Sequence, residues 1–211
     1  MAGTDLGEGS RLAAATNAWI VFEDEAGQNL RPPKARTWAR RGRTPVARVS
    51  GKGSGRVSVA GLVCLPPATR PGTRGRLMYR LVVHHGRKGE RRSLSEADYA
   101  NLITAAHQAL HAPIILIWDN LNTHVSKRMR AFTQTHRDWL TVVHLPAYAP
   151  DLNPVESMWA NLKRSLGNLS ARNVDELAAT VKNRLKRMQY RPELIDGFLA
   201  QTGLSLEAEP P

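Results

Sequence analysis

The fold follows from the stretch Ile114-Ile115-Leu116-Ile117-Trp118, which Asp119 closes. Apolar residues at successive positions are typical of a strand that is buried on both faces, in the middle of a sheet with helices on each side. A second run of this kind is Trp19-Ile20-Val21-Phe22, and Glu23 and Asp24 follow it. The sequence therefore predicts two central strands, each of which ends at a carboxylate.

Capping signals around these two runs predict helices. Ser95 and Asp98 have the spacing of a capping box, which predicts a helix from Glu96 to Leu110. Asn153 is a favourable N-cap and Pro154 a favourable first helical residue, so another helix is expected to begin there. The other predicted elements are strands at Arg56–Leu65, Leu77–His85 and Leu140–Leu145, and helices at Ser126–Arg137, after Asn173 and at Glu193–Gln201.

The order of these elements predicts the α/β class. The first three strands follow one another through turns rich in proline, glycine and arginine, which favours an antiparallel meander. The strand at Ile114 is reached through a helix, which favours parallel pairing. We predict one domain at residues 18–203, a flexible segment at residues 1–17 and a tail at residues 204–211.

The composition points to a polyanionic partner. The 211 residues include 30 Lys and Arg against 18 Asp and Glu, for a formal net charge of +12. Such a charge favours nucleic acid, although it can also serve solubility alone. Cys64 is the only cysteine, which excludes an intrachain disulfide and a cysteine-based zinc site. Apolar runs are far shorter than the roughly 20 residues of a membrane span, so we expect no membrane partner and a cytoplasmic location.

Three acidic residues lie where phosphoryl-transfer chemistry would need them: Asp24, Asp119 and Glu156. Two-metal catalysis uses oxygen ligands to hold two hard cations, and magnesium needs only a few carboxylates. If the two central strands are parallel neighbours, both aspartates emerge at the same edge of the sheet. Glu156 falls in the first turn of the helix that starts at Pro154. Each acid also has an ordinary structural explanation: a solubilised strand end, a turn and a capping box, respectively.

A wider set of motifs around these acids resembles a known family. The motifs are Glu23-Asp24-Glu25; Thr37-Trp38-Ala39 with Gly42 and Pro45; Trp118-Asp119-Asn120 with His124; and Leu145-Pro146-Ala147-Tyr148-Ala149-Pro150-Asp151-Leu152-Asn153-Pro154-Val155-Glu156 with Trp159 and Lys163. Together they resemble the catalytic domain of DDE transposases, in particular bacterial insertion-sequence members of the mariner-like superfamily. The resemblance runs from about Trp19 to Leu166.

The resemblance implies a ribonuclease H-like fold, with a mixed central sheet flanked by helices. It implies an enzyme that uses two Mg²⁺ or Mn²⁺ ions to hydrolyse DNA at transposon ends and to join the freed 3′-hydroxyl to target DNA. By position, Asp24, Asp119 and Glu156 would bind the metals. Asn120, His124 and Asn153 would support them. For Asn120 and His124 a DNA contact is the alternative, and for His124 a purely structural hydrogen bond is a further one. The double-stranded DNA of the transposon ends and of the target would be the partner, and the nucleoid the place of action.

The segment after the first strand is strongly basic and is expected to contact DNA phosphates. Its candidate contacts are Arg36, Trp38, Arg40, Arg41 and Arg43, joined by Lys163 and Arg164 from the helix that carries Glu156. Such contacts give affinity and salt dependence without sequence choice. Trp38 could stack on a base, although packing on the core is favoured. The segment at residues 51–55 lacks the ending of a phosphate loop and is expected to be a hairpin turn.

About 18 residues precede the first strand, whereas complete relatives carry a helix-turn-helix region there. Such a region can be the product of a separate reading frame, which would then be a partner of this chain, as would a second copy of the chain. Two rival functions stay open. The first is a DNA-binding remnant without catalysis, and the second is a ribonuclease H-like nuclease on RNA–DNA hybrids.

Overall fold

The computed structural model describes residues 11–36, 38–43, 46, 55–91, 93–146 and 150–204. Its centre is a five-stranded mixed sheet with the strand order β3-β2-β1-β4-β5. The first three strands form an antiparallel meander, and β4 pairs parallel to both β1 and β5. The strands are β1 (Trp19–Asn29), β2 (Arg56–Leu65), β3 (Arg76–His84), β4 (Ile114–Trp118) and β5 (Leu140–His144). The predicted meander and the predicted parallel pairing are both confirmed.

Helices cover both faces of the sheet. They are α1 (Glu96–Leu110), α2 (Lys127–Thr135), α3 (Pro154–Ser165), α4 (Val174–Gln189) and α5 (Pro192–Gln201), with a 3-10 turn at Pro150–Leu152 before α3. Their starts follow the predicted caps: the Asp98 carboxylate accepts the backbone N–H of Ser95 at 2.9 Å, and the Asn173 side chain accepts that of Glu176 at 2.9 Å. In the described part of the chain, no helix is both long and apolar enough to cross a membrane.

The two central strands are buried on both faces, as their unbroken apolar runs predict. Side chains alternate along a strand, so burying every residue of Trp19–Phe22 requires a layer on each side. Ile20 and Phe22 pack with α3, α4 and α5, whereas Trp19 and Val21 pack on the other side with α1 and α2. The sheet is therefore the middle layer between two hydrophobic cores.

The predicted end of the first strand is wrong. β1 does not stop at the acidic residues but continues to Asn29, because β2 pairs with it along this whole length, from Ile20 opposite Leu65 to Asn29 opposite Arg56. Only the pairing with β4 stops early, at Phe22 opposite Ile117. Asp24 thus lies inside a long strand, at the point where its parallel neighbour has ended. An acidic residue can occupy this position because one side of the strand is open there.

The predicted domain limits stay a prediction. Within the segment 1–17, which the sequence predicts to be flexible, residues 11–16 are helical and Ala13 is buried in the core. At the other end, Leu204 packs against the core, and residues 205–211 of the predicted tail lie outside the described residues. Also outside them are Thr37, Thr44 and Pro45, the predicted turn at residues 51–54, and residues 147–149 of the proline-rich motif.

Candidate active site

Asp24 and Asp119 lie at one edge of the parallel pair β1 and β4. Each is two residues beyond the last paired position, Phe22 opposite Ile117, so the two aspartates continue the same register. Asp119 directly follows the last residue of β4, whereas Asp24, because side chains alternate along β1, belongs to the face on which Phe22 is buried. This is also the face that α3 covers, so the sheet and the helix together bound the acidic edge.

Glu156 reaches this edge from α3. Pro154 begins the helix, and Glu156 is an exposed residue of its first turn. Its charge acts on Asp24: burial raises the pKa of the Asp24 carboxyl from 3.8 to about 7, and repulsion from Glu156 and then from Asp119 adds to the effect of burial. The charges of both other predicted acids therefore act on the Asp24 carboxyl, although the three residues come from separate elements.

Trp159, one turn after Glu156, holds Asp24 in place. The indole Nε1–H donates to Asp24 Oδ2 at 3.0 Å, while the rest of the ring is buried in the core beneath α3. A buried indole N–H usually finds a polar partner, and here the partner is one of the acids. The sequence analysis quoted Trp159 only as part of a motif. Its spacing of three from Glu156, which places both on one helical face, was the available signal for a shared site.

Asp119 is held from the other side by a turn and an imidazole. Its Oδ1 accepts the backbone N–H of Leu121 at 3.0 Å and lies 3.0 Å from His124 Nδ1. The hydrogen bond from His124 is the main cause that lowers the pKa of the Asp119 carboxyl, which stays about half exposed. The His124 side chain itself is only 2% exposed, which excludes a direct contact with DNA.

Asn120 and Asn153 tie the loops of the site to the sheet. The Asn120 amide donates to the carbonyl of Leu145 at 3.3 Å, joining the end of β4 to the end of β5. Asn153 caps α3 by accepting the N–H of Val155 at 3.1 Å and donates to the carbonyl of Glu23 at 3.0 Å. Asn153 thereby fixes the start of α3 against β1, next to Asp24.

Comparisons with known proteins found a matching family model and a similar transposase. The family model described as "DDE superfamily endonuclease" matches residues 87–178, slightly under half of the chain. The resemblance is to DDE endonucleases. The matched segment includes Asp119, His124 and Glu156, whereas Asp24 lies before it. The Tc1 transposase of Caenorhabditis elegans is 35% identical over 82 residues, which are 38% of this chain and 29% of that protein. The chain thus spans less than a third of this DDE relative.

Solved structures of Mos1 transposase share the fold. The Mos1 transposase paired-end complex with the left transposon end superposes with a TM-score of 0.55 at 19% identity, covering 96% of this chain and 60% of that chain. The Mos1 mariner paired-end complex with Mn gives a TM-score of 0.53, with the same identity and coverage. The mixed five-stranded sheet flanked by helices is therefore the ribonuclease H-like fold, as the sequence resemblance predicted.

The acidic edge suits the divalent metals that DDE chemistry implies. Carboxylate oxygens are the ligands that Mg²⁺ and Mn²⁺ prefer, and a cation would relieve the repulsion that raises the pKa of Asp24. Among the described residues, no three His, Cys, Asp or Glu side chains are already grouped closely enough to hold one ion. The carboxylates of Asp24, Asp119 and Glu156 are of the type that these metals bind, but they lie on three elements and are not grouped around one position. Their assignment as ligands stays a prediction.

The metal-free protein is expected to lose stability as the pH rises through 7. The folded-state pKa of Asp24, about 7, is above its ordinary value of 3.8. Between these two pH values the folded state therefore binds one proton more than the unfolded state. The stabilisation is complete below about pH 4 and is lost as the pH rises through 7, by on the order of 2–4 kcal/mol. Urea denaturation in EDTA from pH 5 to 8.5 would measure this loss as the difference between wild type and Asp24→Asn. A difference that does not change with pH would contradict it.

Asn153→Ala is expected to lower the free energy of unfolding by about 2–3 kcal/mol. The change removes a helix cap, worth about 1 kcal/mol, and leaves the buried carbonyl of Glu23 without its donor. Asn173→Ala is the matched control, because Asn173 caps α4 in the same way on an exposed surface. The control should lose only about 1 kcal/mol. Equal losses in urea denaturation would show that the bond to β1 adds nothing.

The predicted DNA contacts are brought together in part. Both the N–H and the carbonyl of Ala35 bond to the side chain of Asn168, just after α3, at 3.1 and 2.8 Å. The start of the basic segment is therefore fixed to the end of α3, where two further predicted contacts, Lys163 and Arg164, are exposed. Arg36, Arg40, Arg41 and Arg43 are exposed as well. Trp38 is 100% exposed, so the expectation that it packs on the core is wrong.

Proposed function

We propose that the chain is the catalytic domain of a DNA transposase that hydrolyses phosphodiester bonds at transposon ends and transfers the freed strand into target DNA. The observation that carries the proposal is the acidic edge, where Asp24 and Asp119 each lie two residues beyond the last pair of adjacent parallel strands and the charge of Glu156, in the first turn of α3, acts on Asp24. The fold shared with Mos1 transposase and the sequence similarity to Tc1 transposase support it.

In the proposed reaction, Asp24, Asp119 and Glu156 would hold two divalent ions, Mg²⁺ or Mn²⁺. Bound there, the metals supply an activated water or 3′-hydroxyl and stabilise the leaving oxygen. The protein residues keep the ligands in place: Trp159 and the backbone of β1 hold Asp24, while His124 and the turn at Leu121 hold Asp119. Asn153 keeps the first turn of α3, and so Glu156, close to β1.

The exposed basic residues would bind the DNA. Arginine and lysine side chains that contact phosphates give binding a steep salt dependence. The exposed indole of Trp38 lies among four of these arginines, where it can stack on an unpaired base. The proposed DNA surface therefore runs from the basic segment to the end of α3. A product with a helix-turn-helix region and a second copy of this chain are proposed further partners, with the nucleoid as the proposed place of action.

A cleavage and joining assay tests the proposal. The full chain is incubated with DNA carrying the sequences that flank its own gene, in Mg²⁺, in Mn²⁺ and in EDTA. Metal-dependent nicking at the ends, followed by joined products, is the expected result, and Asp119→Asn should abolish both. Salt-dependent binding with no cleavage in either metal would instead identify a DNA-binding remnant. Preferential cleavage of an RNA–DNA hybrid in competition with duplex DNA would identify a ribonuclease.

A further inference from the structure

A buried carboxylate behind the acidic edge has no evident structural use. Glu23 is 1% exposed, and both of its carboxylate oxygens lack a hydrogen-bond partner among the described residues. Being next to Asp24 in β1, it points to the opposite face of the sheet, into the core beneath α1. Burial is the main cause that raises its pKa well above the ordinary value. A buried polar group that is left unsatisfied costs stability, so its presence asks for an explanation.

The polar group that faces Glu23 is His124. Its Nε2 lies 3.2 Å from Glu23 Oε2, close enough for an ion pair although not aligned as a hydrogen bond. The imidazole is clamped in this plane by aromatic neighbours. It stacks on Trp118 with centroids 4.3 Å apart and an interplanar angle of 4°, and it meets the Tyr99 ring edge-on at 4.9 Å. The aromatic neighbours fix the plane of the ring, in which Nε2 is turned to Glu23.

The other nitrogen of the same ring is turned to the acidic edge. His124 Nδ1 lies 3.0 Å from Asp119 Oδ1, the oxygen that also accepts the N–H of Leu121. Both described bonds to the Asp119 side chain thus go to Oδ1, which leaves Oδ2 free for another ligand. Since Asp119 is half exposed, its carboxylate would turn more freely in solvent without the imidazole.

We propose that Glu23 and His124 are positioning residues, which form a buried line from the core to Asp119 and fix the direction of its free oxygen. This inference rests on the proposed function, in which Asp119 is a metal ligand. Groups that orient metal ligands typically change metal affinity by about 10–100-fold when they are mutated. The line also explains why a carboxylate is buried at position 23: it keeps the imidazole turned so that Nδ1 reaches Asp119.

The test is Mn²⁺ binding to the full chain, measured by the loss of the electron paramagnetic resonance signal of free Mn²⁺. Two substitutions at His124 each keep one of the two polar contacts of the imidazole and remove the other. In His124→Asn the amide can occupy the place of Nδ1 and keep the bond to Asp119, whereas in His124→Gln it reaches the place of Nε2 and keeps only Glu23. We expect His124→Gln to weaken Mn²⁺ binding by about 10–100-fold and His124→Asn, which keeps the bond to Asp119 without the contact to Glu23, to weaken it less. Equal affinities for the two variants would overturn the role of His124.

Glu23→Gln and Glu23→Ala form the second pair. Both remove the carboxyl group, but only the glutamine keeps an oxygen and the side-chain length that hold the imidazole. A positioning role requires weaker Mn²⁺ binding in Glu23→Ala than in Glu23→Gln. If the two are equal, the length and the oxygen of the side chain at position 23 play no part in metal binding and the proposal is overturned. Urea denaturation of all four variants shows whether any loss of affinity is a loss of folding.

Asp24→Asn separates this inference from the proposed function. If wild type and Asp24→Asn bind Mn²⁺ equally, the metal assignment fails, and the positioning role fails with it. If Asp24→Asn weakens Mn²⁺ binding but the two members of each pair bind Mn²⁺ with the same affinity, the metal assignment stands and only the positioning role is overturned.

Discussion

Asp24→Asn is expected to lower metal-dependent DNA cleavage by at least about 10³-fold. A bound metal contributes several kcal/mol to transition-state stabilisation, and each 1.36 kcal/mol is a factor of ten in rate. An amide keeps the size of the carboxylate and can still accept the Trp159 N–H through its oxygen, but it carries no charge to hold a cation. Single-turnover cleavage at saturating Mg²⁺ and at saturating Mn²⁺ measures the loss.

The loss of activity should come without a loss of folding. The raised pKa of Asp24 means that its buried charge destabilises the metal-free protein at pH 8, so removing the charge should leave the free energy of unfolding equal or higher. Asp151→Asn is the matched control, since Asp151 is an exposed acid in the 3-10 turn just before α3. It should cleave at close to the wild-type rate. Comparable losses in the two variants would mean that Asp24 contributes only general negative charge, not a ligand.

The sequence predicts the centre of the fold because its signals there are local. The apolar runs of β1 and β4, the caps at Ser95 and Asn153 and the turn-rich links each fix one element without help from distant residues. The end of β1 is different. The strand continues through Glu23, Asp24 and Glu25 because β2 pairs with it, and this pairing links residues more than thirty positions apart. Acidic residues are a stop signal only where such a neighbour is absent.

The candidate acids and the supporting residues Asn120, His124 and Asn153 were predicted from the motifs, whereas the contacts of Glu23 and Trp159 were not. Asp24, Asp119 and Glu156 lie beside clear local patterns, which made them candidates, and their role as metal ligands stays a prediction. Glu23 looks like one of several acids at a strand end, and only the structure shows that alternation turns it into the opposite core. The expectation that Trp38 packs on the core was wrong because the sequence around it does not show whether it is buried. An aromatic residue between arginines gives no sign of whether the chain around it lies on the core or projects into solvent.

Gly61→Val is expected to damage both stability and catalysis through the contact between β2 and α3. Gly61 pairs with Asp24 across the antiparallel ladder, directly beneath α3. A Cβ at this position would lie 2.6 Å from Met158 Cε and 3.0 Å from the ring of Trp159. The methionine end can move aside, but the indole is fixed by its bond to Asp24. Two further methyl groups must therefore push Trp159 and α3 away from the sheet, at a cost of about 1–3 kcal/mol or more.

The same displacement should separate Trp159 from Asp24 and move Glu156, on the first turn of α3, away from the strand ends. Cleavage should therefore fall well beyond the loss of folded protein, while Gly61→Ala, which adds only the one carbon, should show a smaller loss of both. Gly197→Ala in α5 controls for the loss of a glycine, because a Cβ there meets no atom within 4 Å. That variant should gain about 0.5–1 kcal/mol. If Gly61→Val kept its activity per folded molecule in urea-calibrated assays, the close approach of α3 to Asp24 would not be needed for catalysis.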